Sequence, residues 1–196
     1  QRVGEAYKCV PVIIGGIEAS LRRIAHYDHW SGKVRKSILP DSKADLLVYG
    51  NAERAITEIA HRLANGEAVA DITDVRGTAY MIKVAPKDWA VIDSTDIDQP
   101  GKIEQHPDPY AAEPDCGQST QTESKTEASN SAVVQLDVRR VKLNREKTAL
   151  RLPSFAQVSG DKVLYAHTSR VFHMETNPGN ARALMQEHGQ RTVWLN

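Results

Sequence analysis

Two glycine turns hold the residue types best suited to meet a ligand. Gly15-Gly16 follows the apolar run Cys9–Ile14 and leads to Glu18, while Gly50-Asn51 follows Ala44–Tyr49 and leads to Glu53. A glycine lets backbone come closer to a bound group than any residue with a side chain. At the carboxyl ends of parallel strands such turns stand where open α/β sheets bind their ligands. The predicted contact set is therefore Gly15, Gly16, Glu18, Gly50, Asn51 and Glu53. The plainer reading needs no ligand: Gly-Gly makes a tight turn, Asn51 caps the next helix, and Glu53 complements its dipole. Neither GxGxxG nor GxxxxGK[ST] occurs, so the dinucleotide and P-loop readings lack their glycines and lysine.

Other reactive side chains point to less. His26 and His29 stand three apart on a predicted helix, but HExxH is missing and no third ligand is evident, so packing around Tyr27 and Trp30 explains them better than zinc. Cys9 and Cys116 form no CxxC, which argues against a disulfide framework and a structural zinc site. No Ser/His/Asp or Cys/His arrangement follows from spacing. Arg22, Arg23, Lys33, Arg35 and Lys36 form a basic cluster, read first as a solvated face. With 25 basic and 25 acidic residues in 196 the net charge is zero, which argues against broad phosphate-backbone binding. No apolar run approaches the roughly 20 residues that span a bilayer. No membrane partner is expected, and the location expected is the cytoplasm.

The elements that must position the glycines repeat. Cys9–Ile14 is an apolar, β-branched run of the kind buried on both faces. Glu18–His29 reads as the following helix, with Leu21, Ile24 and Ala25 inward. Ala44–Tyr49 is a second strand, and Glu53–Asn65 places Ile56, Ile59, Ala60 and Leu63 on one helical face, closed by Gly66. Two strand–turn–helix units imply a parallel sheet covered by helices. Thr78–Val84 and Trp89–Ile92 read as an edge hairpin.

Between Pro100 and Ser131 the only large aliphatic residue is Ile103, which predicts a low-complexity linker. Beyond it, Val133–Val138 and Val163–Tyr165 read as strands. A final helix is expected from Asn177-Pro178-Gly179, with Ala181, Leu184, Met185 and His188 on one face. The expected organisation is a domain at 1–98, a linker at 99–132 and an extension at 133–196. The chain enters an apolar run almost at once and ends on Val193-Trp194-Leu195-Asn196, as an excised piece of a longer polypeptide would.

Several long motifs carry a resemblance. PVIIGGIEASLRRIAHYD at Pro11–Asp28, ADLLVYGNAER at Ala44–Arg54, DVRGTA at Asp74–Ala79 and GDKVLYAH at Gly160–His167 resemble the N-terminal region of the YgiQ-family radical SAM proteins. RLANGE, LPSF, ETNPGNARALMQ and the closing VWLN extend the likeness over nearly everything but the linker. The resemblance implies a radical SAM barrel downstream. There a CxxxCxxC triad holds a [4Fe–4S] cluster that binds S-adenosylmethionine and cleaves it to a 5′-deoxyadenosyl radical. This chain has no such triad, so no redox chemistry of its own is expected.

The resemblance also implies a fold: α/β, a partial Rossmann-like sheet of the cobalamin-binding-domain type, parallel and covered by helices, with a small α+β C-terminal extension. Gly15-Gly16 matches the Gly-Gly that accommodates cobalamin in such domains, whereas their DxHxxG element is absent. The leading expectation is an accessory domain whose partner is its own downstream barrel and whose substrate the resemblance does not specify. The alternatives are a docking module without a ligand and an RNA-contacting domain that uses the basic clusters at Arg22–Lys36 and Arg139–Arg151.

Overall fold

Leu46, Leu47 and Val48 are all buried, the pattern of a strand covered on both faces. In a computed structural model that describes residues 2–7, 10–101, 144–176 and 182–196, these three residues form β4 (Leu46–Val48) of a seven-stranded mixed sheet. Before it come α1 (Arg2–Ala6), β1 (Ile13–Ile14), α2 (Ile17–Leu21), the hairpin β2 (His26–Asp28) and β3 (Lys33–Arg35), and α3 (Ile38–Ser42). After it come α4 (Glu53–Ala64), β5 (Thr78–Ile82), β6 (Ala90–Asp93) and α5 (Ser94–Ile97). The last described elements are β7 (Thr148–Leu152), α6 (Phe155–Gly160), α7 (Lys162–Thr176), β8 (Ala183–Glu187) and β9 (Thr192–Leu195).

The strand order is β1-β4-β5-β9-β8-β7-β6. β1 and β4 are parallel, as two strand–turn–helix units require. β5 runs antiparallel to β4 and to β9, and β9 antiparallel to β8, whereas β8, β7 and β6 are mutually parallel. The two parallel groups therefore point in opposite directions, and their carboxyl ends lie at opposite edges of the sheet. Tyr80 pairs with Trp194 in the middle, so strands from the two ends of the chain share one sheet.

Alternation along the strands builds two apolar layers. Leu47, Ala79, Leu150, Leu152, Leu184, Val193 and Leu195 face Ala19 of α2, Leu39 of α3 and Val171 of α7. On the reverse face, Leu46 and Val48 meet Ala55 and Ile59 of α4, while Ala149, Ala183, Met185 and Trp194 pack under Trp89. The Trp89 and Trp194 rings meet edge-on with centroids 5.0 Å apart. Each fully buried aliphatic chain here stabilises the fold by roughly 1.5–3 kcal/mol.

Four segments differ from expectation, three because tertiary contacts outweigh local pattern and one through a local helix cap. The helix expected over Glu18–His29 stops at Leu21; Arg23, Ile24 and Ala25 are buried, and His26–Asp28 form a strand. The β-rich Val163–Tyr165 lies inside α7, because the Asp161 carboxylate accepts from the amides of Val163 (2.7 Å) and Leu164 (3.3 Å), capping the helix. Ala183–Glu187 consists of good helix formers yet makes β8, since Leu184 fills one layer and Ala183 and Met185 the other. The two strands of the expected edge hairpin do not pair: β5 is central and β6 is an edge strand. In α4 the buried residues are Ala55 and Ile59, while Ile56 is exposed. The expected linker from 102 onward, the strand Val133–Val138, Asn177-Pro178-Gly179 with Ala181, and both cysteines lie outside the described residues.

Candidate functional site at the strand ends

The structure brings the two glycine turns together at the carboxyl ends of β1 and β4. Gly15 has a packing reason, because a Cβ there would lie 3.3 Å from the Val48 carbonyl oxygen of the neighbouring strand. Gly16 has a conformational one: φ 92° and ψ 179° fall in a region that essentially only glycine occupies. Gly50, at φ 70°, is left-handed. A Cβ on Gly16 or Gly50 would meet nothing within 4 Å, so both turns border open space. Ser20 of α2 stitches them: its hydroxyl donates to the Gly16 carbonyl (2.8 Å) and accepts from the Gly50 amide (3.4 Å).

The acidic and amide members of the predicted set are placed less tightly. Glu18 is exposed and pairs with Arg22 at 2.5 Å, one helical turn away. Glu53 is exposed in the first turn of α4. Asn51 does not cap that helix; the N-cap position falls on Ala52, without a side-chain cap. The cap expected of Asn51 is thus displaced by one residue, which leaves Asn51 exposed on the rim.

The residue that sequence reasoning misplaced is Arg23. It does not lie on a solvated face but is 9% exposed, and burial lowers its pKa. Its guanidinium sits between the Tyr49 ring (4.5 Å) and the Phe172 ring (4.1 Å), and Nη1 donates to the Ser20 carbonyl. Nε is buried with no hydrogen-bond partner. Tyr49 follows β4; its hydroxyl donates to the Asn196 carbonyl (2.5 Å), and burial pushes its pKa up to about 12. The rest of the basic cluster is partly neutralised, with Arg22 on Glu18 and Arg35 3.4 Å from Asp28. In the second basic stretch, Lys147 meets Asp88 (3.2 Å) and Arg151 lies 3.7 Å from Asp93.

His26 and His29 do not share a helix. His26 is in β2, and His29 is in the turn that Asp28 organises by accepting from Ser31 Oγ (2.8 Å) and the Trp30 amide (3.2 Å). Those hydrogen bonds, that of Ser31 first, hold the Asp28 carboxyl below its usual range. Trp30, on the same turn, is 93% exposed, and its ring meets that of His29 edge-on with centroids 6.4 Å apart.

The opposite sheet edge assembles groups that sequence spacing did not connect. Ser94 Oγ lies 3.0 Å from His167 Nε2, and His167 Nδ1 lies 3.2 Å from Asp98 Oδ2, while Asp98 Oδ1 faces Arg170 at 3.4 Å. Nδ1–H donating to Asp98 makes Nε2 the acceptor for the Ser94 hydroxyl. The order is that of a hydrolytic triad, but Ser94 is fully buried, so the relay ties α5 to α7 rather than presenting a nucleophile. Beside it, at the carboxyl ends of β6, β7 and β8, opens a crevice of about 350 Å³ lined by Asp93, Arg151, Ser154, Gln157 and Glu187. Nothing in the sequence links residues 94, 98 and 167; the sheet does.

Neither cofactor type raised by the sequence fits the donor set present. The chain holds two cysteines, and among the described residues no three His, Cys, Asp or Glu side chains gather as metal ligands. A [4Fe–4S] cluster needs closely spaced thiolates. Cobalamin lacks its DxHxxG element here. Among the described residues no helix is long and apolar enough to cross a membrane.

The structure thus defines a mixed α/β domain with a glycine-turn rim and a buried arginine beneath it. The chain belongs to the radical SAM N-terminal family, whose pattern it matches over residues 1–196. It is 57% identical to UPF0313 protein PA4928 of Pseudomonas aeruginosa, covering all of this chain and 26% of that protein. To UPF0313 protein YgiQ of Escherichia coli it is 54% identical, again over the whole chain and 26% of the relative. A UPF0313 protein of Vibrio cholerae is 52% identical, with 24% of its length covered. The chain therefore spans about a quarter of the length of the curated relatives it matches. No solved structure matches it.

Proposed function

We propose that this chain is the N-terminal accessory domain of a radical SAM enzyme. It would lie against the part of the polypeptide that binds a [4Fe–4S] cluster and S-adenosylmethionine. The rim of Gly15, Gly16, Glu18, Gly50, Asn51 and Glu53 would help to enclose the reaction site.

The observation that carries this reading is the apolar surface beside the rim. Ile17 is 82% exposed and Leu21 65%, one turn apart on α2, which follows Gly16. Uncovered apolar side chains grouped on one face mark an interaction surface. About three quarters of the relatives' length lies outside the matched region, which supports a partner for that face within one polypeptide.

Within this reading β1, the Gly-Gly turn and α2 form the Rossmann-like element, supported by their order and by the parallel pairing of β1 with β4. A cytoplasmic setting suits oxygen-sensitive cluster chemistry and a chain with only two widely separated cysteines.

The test is made on the full-length protein with its cluster. A nitroxide at Asn51, on the rim, is compared with one at Glu187, on the opposite sheet edge. The reading expects the reduced cluster to speed electron-spin relaxation more at Asn51. Equal relaxation at both positions, or the reverse order, leaves only a docking role.

A further inference from the structure

Three arginines in this domain invite comparison. Arg62 offers Nε and Nη2 to the two carboxylate oxygens of Glu67, at 2.7 and 2.6 Å, and Nη1 to Asp74. Arg182 addresses Glu175 through the same two nitrogens. This side-on fork is the strong, bidentate way in which a guanidinium holds an oxyanion. Arg23 alone of the three is so deeply buried, and among the described residues no carboxylate pairs with it. Its Nη1 is used by the Ser20 carbonyl, its guanidinium carbon lies 4.5 Å and 4.1 Å from the Tyr49 and Phe172 ring centroids, and Nε, one arm of the side-on fork, is buried without a partner.

Stability alone gives no reason for a charge at this place. A desolvated cation lacking a counter-ion costs free energy that an apolar side chain of similar length would not. The rings recover part of the cost through cation–π attraction. They also restrain the guanidinium. The group adjoins the rim through Nη1: Ser20, which receives Nη1 on its carbonyl, bridges the Gly16 and Gly50 turns with its hydroxyl, and Tyr49 precedes Gly50.

We propose that Arg23 is the anchor of an oxyanion-binding subsite beneath the Gly16–Gly50 rim, taking a carboxylate or phosphate group of a small ligand on its free Nε edge. The two rings hold the guanidinium in place, and the glycine turns beside it border open space. Arg23 is a binding residue in this assignment, with no step of chemistry of its own. The proposal deepens the rim reading by naming the chemistry the rim selects, and its test is independent of turnover and of the cluster.

The full-length protein is titrated calorimetrically with inorganic phosphate and, separately, with succinate, at constant ionic strength held by chloride. Saturable heat with at least one anion is expected, and the arm that responds tells phosphate from carboxylate. Arg23→Lys keeps the charge without the fork and should weaken that binding by about tenfold or more; Arg23→Met should abolish it. Arg22→Met, at the exposed neighbour paired with Glu18, should leave it unchanged. Thermal unfolding should show Arg23→Met no less stable than wild type.

Absence of binding to both anions in the wild type overturns the proposal, as does binding that survives in both Arg23 variants. Failure of both variants to fold overturns it too, because the arginine would then serve structure. Anion binding that persists while the nitroxides show no contrast between Asn51 and Glu187 would leave the subsite standing and remove the accessory-site reading.

Discussion

Gln186 allows a local stability term to be worked from the structure. It is fully buried in β8 and joins three separate segments. Its Oε1 accepts from the Ala25 amide (2.8 Å) and from His188 Nε2 (3.1 Å), and its Nε2 donates to the Pro153 carbonyl (2.9 Å). Gln186→Met nearly conserves volume while removing every one of these bonds. The Ala25 amide and His188 Nε2 then stand buried without partners, at about 1–3 kcal/mol each, so the change should cost roughly 2–6 kcal/mol. The loss should concentrate where the amide of Ala25 is released. Even the lower limit corresponds to about thirtyfold faster hydrogen exchange over residues 22–28 in the full-length protein. Mass-spectrometric exchange of peptides covering 22–28 and 46–48 makes the comparison. Unchanged exchange over 22–28 would refute the stitch. Equal acceleration in β4, three strands away in the sheet, would show a global effect and refute its locality.

Three further outcomes follow from the geometry. Burial, helped by the charge of Lys36, pushes the His188 pKa from 6.5 down to about 4. An unfolded ring takes up its proton near 6.5, so this contribution is complete above that pH and is lost as the pH falls toward 4. The loss is on the order of 3 kcal/mol; denaturant midpoints at pH 7 and pH 5 should differ less in His188→Asn than in wild type. Gly16→Ala should destabilise by about 1–3 kcal/mol although its Cβ meets no atom, because the backbone geometry alone excludes alanine; thermal unfolding beside Gly66→Ala separates this special region from ordinary left-handed strain. Ser154 and Gln157 form a capping box on α6, so Ser154→Ala should cost about 1 kcal/mol and raise exchange over Phe155–Gly160, leaving α4 unaffected.

The half of the fold written in local periodicity was legible. β4 and α4 appear where the apolar run and the helical spacing put them, and the two glycine turns stand side by side as the strand–turn–helix repeats required. What escaped depends on partners distant in sequence. Ala183–Glu187 has the composition of a helix and is a strand only because β7 and β9 flank it. Arg23 sits in a run that looks like a charged helical face, and only Tyr49 and Phe172 make it an interior residue. The Ser94–His167–Asp98 relay joins α5 to α7 through contacts that no spacing rule anticipates. Asp161 was a readable signal, since an acidic residue before a mixed run is a helix start.

The placement of β9 has a consequence for synthesis on the ribosome. β5 has two neighbours, β4 and β9, and β9 consists of Thr192–Leu195. Until those residues leave the exit tunnel, the emerged β1–β4–β5 group must wait with the edge at Ala79–Ile82 open. An unpaired apolar edge is a template for pairing with the wrong chain. Assembly that depends on such distant pairing is slow. The nascent chain thus passes through an interval in which a chaperone, or its absence, decides between one sheet and an aggregate. Arrest sequences placed before and after Thr192 would reveal that interval as a window of protease sensitivity that closes when β9 emerges.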